Sequence, residues 1–334
     1  MHLLVLGGTG FLSSEVVVAA LAAGHVVTTV TRGTRPAVPS SARHPGAPAA
    51  VRAVQADRDD VVALGAALGP VLEADPPDAV VDCCGYTVAG AQATGRVLAG
   101  VPRYVFVSSI SAYRDWPPGP VPDESAPTFG PEAPAAEYGP MKAESERVLE
   151  AALGDRLLSA RAGLIVGPGD RTRRLTGWLH RIATSERVVV PDGAEVPMAF
   201  VDVRDLAAWL VAAAGADWPG AVNATGPVGM TTYDGMVRAC RDAVLAGGDS
   251  AAELVPVPQA RLLEAAVQPW TDLPFWLPDD VATTAWQVGT ARARELGLAS
   301  RPFTETVRDT WAWLRTADLG HPPLPARLAP GALT

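Results

Sequence analysis

Basic residues are in the minority in this 334-residue chain: 27 Lys and Arg against 36 Asp and Glu leave a formal net charge of −9. A general nucleic-acid binder normally shows a basic face, so no nucleic-acid partner is expected. Cysteine is scarce. Three thiols, Cys83 and Cys84 adjacent and Cys240 alone, make neither a disulfide framework nor a spaced zinc site. The five histidines (2, 25, 44, 180 and 321) show no metal-ligand spacing, and no metal is expected. Long apolar runs are missing as well. None nears the ~20 residues that span a bilayer, so no membrane partner is expected. The first apolar run stops at Gly7 after five residues, which is too short for a secretory signal. What remains is 48% hydrophobic and 19% charged, the composition of a well-packed globular protein. The expectation is a protein of a reducing cytoplasm, built as one large domain or two coupled ones.

The strongest positive signal lies at residues 1–13. An apolar run at 2–6 predicts a buried strand, and Gly7-Gly8-Thr9-Gly10-Phe11-Leu12-Ser13 follows without a spacer. A helical pattern over 11–23 then stops at Gly24. Strand, glycine turn and helix together make a dinucleotide-site hypothesis. The glycines let backbone approach a pyrophosphate, and the helix N-terminus offers unpaired N–H groups.

The pattern then repeats. Strands are expected at 25–31, 51–56, 79–83, 103–107 and 157–160, with helices at 61–72, 88–98 and 138–153. Such alternation predicts an α/β fold, a Rossmann-type doubly wound parallel sheet, with ligands at the carboxyl ends of its strands. Those ends carry Gly7 to Gly10, Arg32, Asp57, Cys83 to Tyr86 and Ser108-Ser109. Residues 36–50 and the Pro-rich, acidic 114–137 read as surface loops. Beyond about residue 165 the pattern turns irregular. Helices are expected at 173–184, 203–214, 232–246, 258–265, 291–296 and 305–314, and short strands near 188–190, 198–201 and 222–224. The expected division is a nucleotide-binding domain at 1–165 and, at 166–334, a smaller substrate-binding lobe that returns some segments to the sheet.

Tyr138 and Lys142 stand four residues apart at the start of a helix, so they share a face. A neighbouring ammonium favours phenolate, and the expectation is a lowered Tyr138 pKa suited to proton exchange. Ser108 and Ser109 end the fifth strand and offer a hydroxyl to the same substrate oxygen. Bland readings suit other residues: Cys83 and Cys84 as small core residues, His180 on the surface, and Trp178, Trp270 and Trp276 in core packing.

In these motifs the chain resembles an extended short-chain dehydrogenase/reductase of the NAD-dependent epimerase/dehydratase type. The resemblance rests on the glycine turn, Asp57-Arg58, Val107 to Tyr113, Tyr138-x-x-x-Lys142, Arg161 to Gly169, Phe200 to Ala207 and Asn223 to Gly226. It implies Tyr138 as acid/base and Lys142 as the residue that holds the nicotinamide ribose. It implies Ser109 as their partner, because Tyr113 follows four residues later. It places Gly7, Thr9, Gly10, Phe11, Leu12, Arg32, Asp57, Arg58, Cys83, Cys84, Gly85, Ser108 and Gly163 along the cofactor, with Asp57 at the adenine. It also allows a homodimer.

Three departures bear on chemistry. Ser13 stands where a third glycine is usual, at a modest packing cost. The second strand ends in Thr31-Arg32; an Arg, with Arg35 as helper, suits a 2′-phosphate and so NADP(H) over NAD. Ile110-Ser111 after Ser109 leaves out the acid pair that family dehydratases use. The leading expectation is an NADP(H)-dependent reductase or dehydrogenase of a small-molecule carbonyl/alcohol. The alternatives are a nucleotide-sugar epimerase that recycles its cofactor, and a non-catalytic NAD(P)-binding or RNA-associated protein.

Overall fold

The computed structural model describes residues 1–34, 51–193, 195–317, 319–320 and 325–329. The expectations for Arg35, for all of 36–50 and for most of the tail beyond His321 lie outside them.

The first half alternates as the apolar pattern requires: β1 (His2–Leu6), α1 (Phe11–Ala22), β2 (Val26–Thr31), β3 (Arg52–Gln55), α2 (Val61–Ala74), β4 (Ala79–Asp82), α3 (Val88–Val97), β5 (Arg103–Ser109), α4 (Tyr138–Leu153) and β6 (Leu157–Ala162). The second half holds β7 (Ile165–Val166), α5 (Leu175–Thr184), β8 (Arg187–Pro191), β9 (Pro197–Met198), β10 (Val201–Asp202), α6 (Val203–Ala214) and β11 (Gly220–Ala224). It continues with β12 (Thr231–Thr232), α7 (Tyr233–Ala246), β13 (Glu253–Val257), α8 (Gln259–Glu264), α9 (Asp279–Ala285), α10 (Ala291–Glu295) and α11 (Phe303–Leu314). Among the described residues no helix is long and apolar enough to cross a membrane.

Seven parallel strands form the central sheet in the order β11-β6-β5-β4-β1-β2-β3. Six of them follow the doubly wound order that reverses beside β1, where a crevice opens. β1, β4, β5 and β6 are buried along their whole length, as strands covered on both faces must be. One apolar core packs α1 and α6 on one face through Val16, Val17, Leu206 and Leu210. A second packs α2, α3 and α4 on the other through Leu64, Leu68 and Leu149. A third core lies wholly beyond residue 165 and is rich in aromatics: Trp178, Phe200, Tyr233, Phe275, Trp276, Phe303 and Trp311.

Several elements differ from the sequence reading. The strand expected at 198–201 is two short pieces, β9 paired with β12 and β10 paired with β7. β13 and α9 were not expected. β13 contains Pro256 and pairs with β8 in a two-stranded sheet, and such an edge tolerates proline.

The acidic 114–137 segment is more than a surface loop. Tyr113 bridges Thr128, Val121 bridges Val288, and Trp116 Nε1 donates to the Ala285 carbonyl at 2.6 Å. A buried polar chain fastens it to the sheet. The Arg161 guanidinium on β6 donates to both oxygens of Glu146 on α4 (2.7–3.2 Å) and to the Glu124 carbonyl (3.2 Å), and it lies 4.7 Å from the Tyr113 ring centre. Tyr113 Oη donates to Asn223 Oδ1 (2.6 Å); Asn223 donates through its amide to the Gly289 carbonyl and through its backbone N–H to Glu124. Asn223 is wholly buried, so its Asn-x-Thr spacing serves packing.

Glu146 and Arg161 are both under one-tenth exposed. Removing one partner of such a pair strands the other charge, which costs about 3–5 kcal/mol. Glu146→Ala is therefore expected to lower unfolding stability by that order in urea titrations, and Arg161→Met/Glu146→Leu by much less; equal losses would refute the paired-charge account.

Candidate active site

The cleft above the sheet has a volume of about 1070 Å³. Its floor is the carboxyl ends of β1 to β6, and its far wall comes from the lobe beyond residue 165. At the β1 end the glycine turn is built for close approach. Gly7 and Gly8 hold φ of 116° and 131°, a region L side chains avoid. A Cβ on Gly7 would meet Ser13 Cβ at 2.9 Å, and one on Gly8 would meet Thr29 Cγ2 at 2.9 Å. The helical ladder of α1 begins with Ser14 N–H donating to the Gly10 carbonyl, which leaves the preceding N–H groups at the mouth of the helix. Ser13 has a use there: its Oγ accepts from the Gly10 N–H at 3.0 Å. This turn fits the diphosphate of a dinucleotide.

Of the residues expected along the cofactor, Gly7, Thr9, Gly10, Phe11, Leu12, Arg32, Asp57, Arg58, Cys83, Cys84, Ser108, Tyr138, Lys142 and Gly163 line this cleft. Gly85 does not. A Cβ there would reach the Phe106 ring at 2.2 Å, so its smallness serves packing beneath the site. Arg58 borders the cleft, yet its charge is taken up by a bidentate pair with Asp82 (2.8 and 2.9 Å). Asp82, which the sequence reading left unremarked, is fully buried and also accepts from Tyr104 Oη and the Cys84 N–H. Burial raises both neighbouring thiols, Cys84 to about 11, which keeps them protonated and inert.

The three candidate catalytic groups meet where β5 ends and α4 begins. Ser108 borders the cleft, but its hydroxyl donates to Glu146, which leaves Ser109 as the available hydroxyl. Ser109 Oγ accepts from the Ser111 N–H (3.1 Å), and Ser109 and Tyr138 both line the cleft. Tyr138 is half exposed at the start of α4. One turn on, Lys142 is buried; its ammonium donates to the Val107 carbonyl at 2.9 Å and lies over the Phe106, Tyr86 and Tyr138 rings at 5.0, 5.2 and 5.7 Å.

One expectation is corrected here. Lys142 does not lower the Tyr138 pKa in this structure. Its ammonium is turned to the strand end and the ring faces, and burial raises the phenol against the opposing effects of the Ser109 hydroxyl and the Arg174 charge. Trp178 and Trp276 are core residues; Trp270 packs against the same core and also lines the cleft, and the partly exposed His180 lines a side compartment of about 350 Å³ next to it. Arg174, Trp116 and Trp286 also line the cleft and were not foreseen. Glu146 could have been: it stands two turns beyond Tyr138, on the face that Lys142 shares.

Burial pushes the Lys142 pKa down to about 8. Below that pH the group is charged folded and unfolded alike, and its burial weighs against the fold. Above it the unfolded chain holds the extra proton, so stability rises with pH. Compared with Lys142→Met, the wild type is expected to gain stability between pH ~7.5 and ~10 in urea titrations. A difference that stays flat or falls would refute the depressed value.

Comparison with known proteins agrees with this geometry. The family model for the NAD dependent epimerase/dehydratase family matches residues 3–224. The 2′-dehydrokanamycin reductase of Streptomyces kanamyceticus is 34% identical over 202 residues, 58% of this chain and 53% of that protein. The match thus spans about half the length of that relative. Among solved structures, UDP-glucose 4-epimerase of Thermotoga maritima, seen with UDP-glucose, gives a TM-score of 0.67 at 18% identity, covering 95% of this chain and 99% of that one. Bordetella bronchiseptica WbmH, seen with NAD+, gives 0.65 at 17%, covering 94% and 98%. At these identities the structural likeness is one of fold. With two-thirds of the chain matched to the family model, and a doubly wound sheet that carries its glycine turn at β1, the chain belongs to the NAD-dependent epimerase/dehydratase family of enzymes.

Proposed function

We propose that the chain is an NADP(H)-dependent reductase or dehydrogenase of a small-molecule carbonyl/alcohol pair, with Ser109, Tyr138 and Lys142 as its catalytic group. The observation that carries this reading is the convergence of Ser109 and Tyr138 on the cleft that the glycine turn lines, with Lys142 buried one turn along α4. A bound nicotinamide supplies a hydride to the substrate carbon or takes one from it. Tyr138 gives its phenolic proton to the substrate oxygen on reduction and recovers it on oxidation. Ser109 donates a hydrogen bond to that same oxygen and holds it beside the phenol. Lys142 hydrogen-bonds the ribose of the cofactor, and its charge there steadies the phenolate left after proton transfer.

The NADP(H) preference rests on Arg32. It is exposed at the end of β2, it lines the cleft, and no acid stands at that strand end to receive a ribose hydroxyl. A guanidinium there can take a 2′-phosphate in a bidentate grip. The reductase reading draws on the partial match to a reductase. The epimerase alternative draws on a shared fold. The family resemblance brings a cytoplasmic location and a homodimer into the proposal; gel filtration reads the second.

Tyr138→Phe is expected to cut kcat by ~10²–10⁴-fold with NADPH affinity kept, the range for loss of a general acid. Unchanged turnover would sink the catalytic assignment. Arg32→Ala is expected to remove a preference for NADPH over NADH in fluorescence titrations, and a preference that survives would refute the 2′-phosphate grip. NADPH consumed one-for-one with product marks a reductase; catalytic amounts sufficing marks an epimerase.

A further inference from the structure

The substrate side of the cleft has a chemical character of its own. The acids that line the cleft among the described residues, Asp57 and Asp59, both stand at the end of β3, on the cofactor side. The opposite wall presents the indoles of Trp116, Trp270 and Trp286 together with one guanidinium, that of Arg174. Trp116 has its Nε1 committed to the Ala285 carbonyl, so it offers the cleft a flat apolar face.

This aromatic wall is held in place at some cost. Trp270 and Phe275 both adopt left-handed backbone, at φ of 64° and 70°, a region that bulky side chains avoid. The turn that imposes this is closed by the Trp270 N–H donating to the Trp276 carbonyl (3.0 Å). It is pinned by Asp272, which accepts from the Gln268 N–H (2.7 Å) and from Arg327 (2.6 and 2.8 Å). The strain brings Phe275 edge-on to Trp270, 5.8 Å between ring centres, and Trp286 lies 6.4 Å from Trp270, tilted by 35°. Phe275 also lies under the Arg174 guanidinium, 5.8 Å from it.

Arg174 is half-buried, and among the described residues no carboxylate lies within ion-pair distance of it. Its Nε donates to Thr172 Oγ1 at 3.1 Å. The charge of the buried Asp170 acts on Arg174 from beyond ion-pair distance, while its carboxylate accepts from the Thr172 N–H and hydroxyl. A guanidinium so placed has its two terminal nitrogens for a planar anion. The side compartment opens from this point. It shares Thr172, Arg174 and Trp270 with the cleft and adds Arg173 and Arg181, a second region of positive charge.

We propose that the substrate is a flat, largely apolar carbonyl compound bearing one carboxylate, its ring system against Trp270 and Trp286 and its carboxylate on Arg174. The proposal rests on the reductase reading for the word carbonyl, but the wall itself sets the shape and charge. A polycation such as an aminoglycoside would find no carboxylate on this wall.

Equilibrium dialysis of the full chain saturated with NADP+ tests this without turnover. The probes are 2-naphthoate, its neutral amide, the (2-naphthyl)methylammonium ion, uridine 5′-diphosphate and kanamycin. Naphthoate is expected to bind at least about tenfold more tightly than the amide, as a charge-assisted bidentate bond implies, with the ammonium ion weakest. Arg174→Gln should erase that advantage, and Arg174→Lys should keep part of it. Naphthoate failing to bind at millimolar concentration, binding no better than the ammonium ion, or keeping its advantage in Arg174→Gln would overturn the proposal. So would tighter binding of the nucleotide or of kanamycin. If Arg174→Gln does not fold, the wild-type charge series still decides. Failure of the reductase reading would show separately, as turnover that survives Tyr138→Phe while the binding order holds.

Discussion

The ion pair between Glu146 and Arg161 is the interaction on which the working parts depend. Tyr138, Lys142 and Glu146 occupy one face of a single helix, one turn apart. Glu146 receives Ser108 from β5 and Arg161 from β6. The strand that ends in Ser109 and the helix that begins with Tyr138 are thereby fixed to each other at a buried point. Two hydroxyls can face one substrate oxygen only if that registry holds to a fraction of an ångström. A surface pair would not supply it, since exposed charges exchange partners with water.

The same network extends outward. Through Tyr113, Asn223 and Glu124 it governs the proline-rich connection before α4, and through Gly289 it reaches the last third of the chain. Trp116 on that connection then forms part of the substrate wall. The cofactor side is therefore rigid and glycine-lined, while the substrate side is aromatic and made of long-range contacts. The two meet at Tyr138, where Ser109 on one side and Arg174 on the other oppose the effect of burial on the phenol.

Much of the first of these sides was legible in the sequence. The apolar runs and glycine stops marked the strands because a two-faced parallel sheet leaves no polar positions within them. Tyr138 and Lys142 stood out by helical spacing and Ser108-Ser109 by their strand end, and the family resemblance singled out Ser109 of the two. Arg58 lines the cleft as expected but has its charge paired with Asp82, and Gly85 packs on Phe106 instead of lining the cleft; nothing local in the sequence reveals either partner. Arg174, Trp270 and Trp286 were illegible for a different reason. They lie far apart in the chain and outside any periodic pattern, and only the strained turn at 270–275 brings their side chains together.

The return of β11 to the sheet has an evolutionary side. After contributing α5, β8 and β9 to the outer lobe, the chain comes back to lay α6 on α1 and β11 beside β6, and then leaves again. The outer lobe is thus inserted in pieces around a part of the sheet. It cannot be exchanged as a cassette: a chimaera joined at residue 165 would import a foreign edge strand and a foreign partner for α1 along with the new pocket. New specificities in this architecture are more readily reached by altering the wall, residue by residue, than by recombining whole lobes.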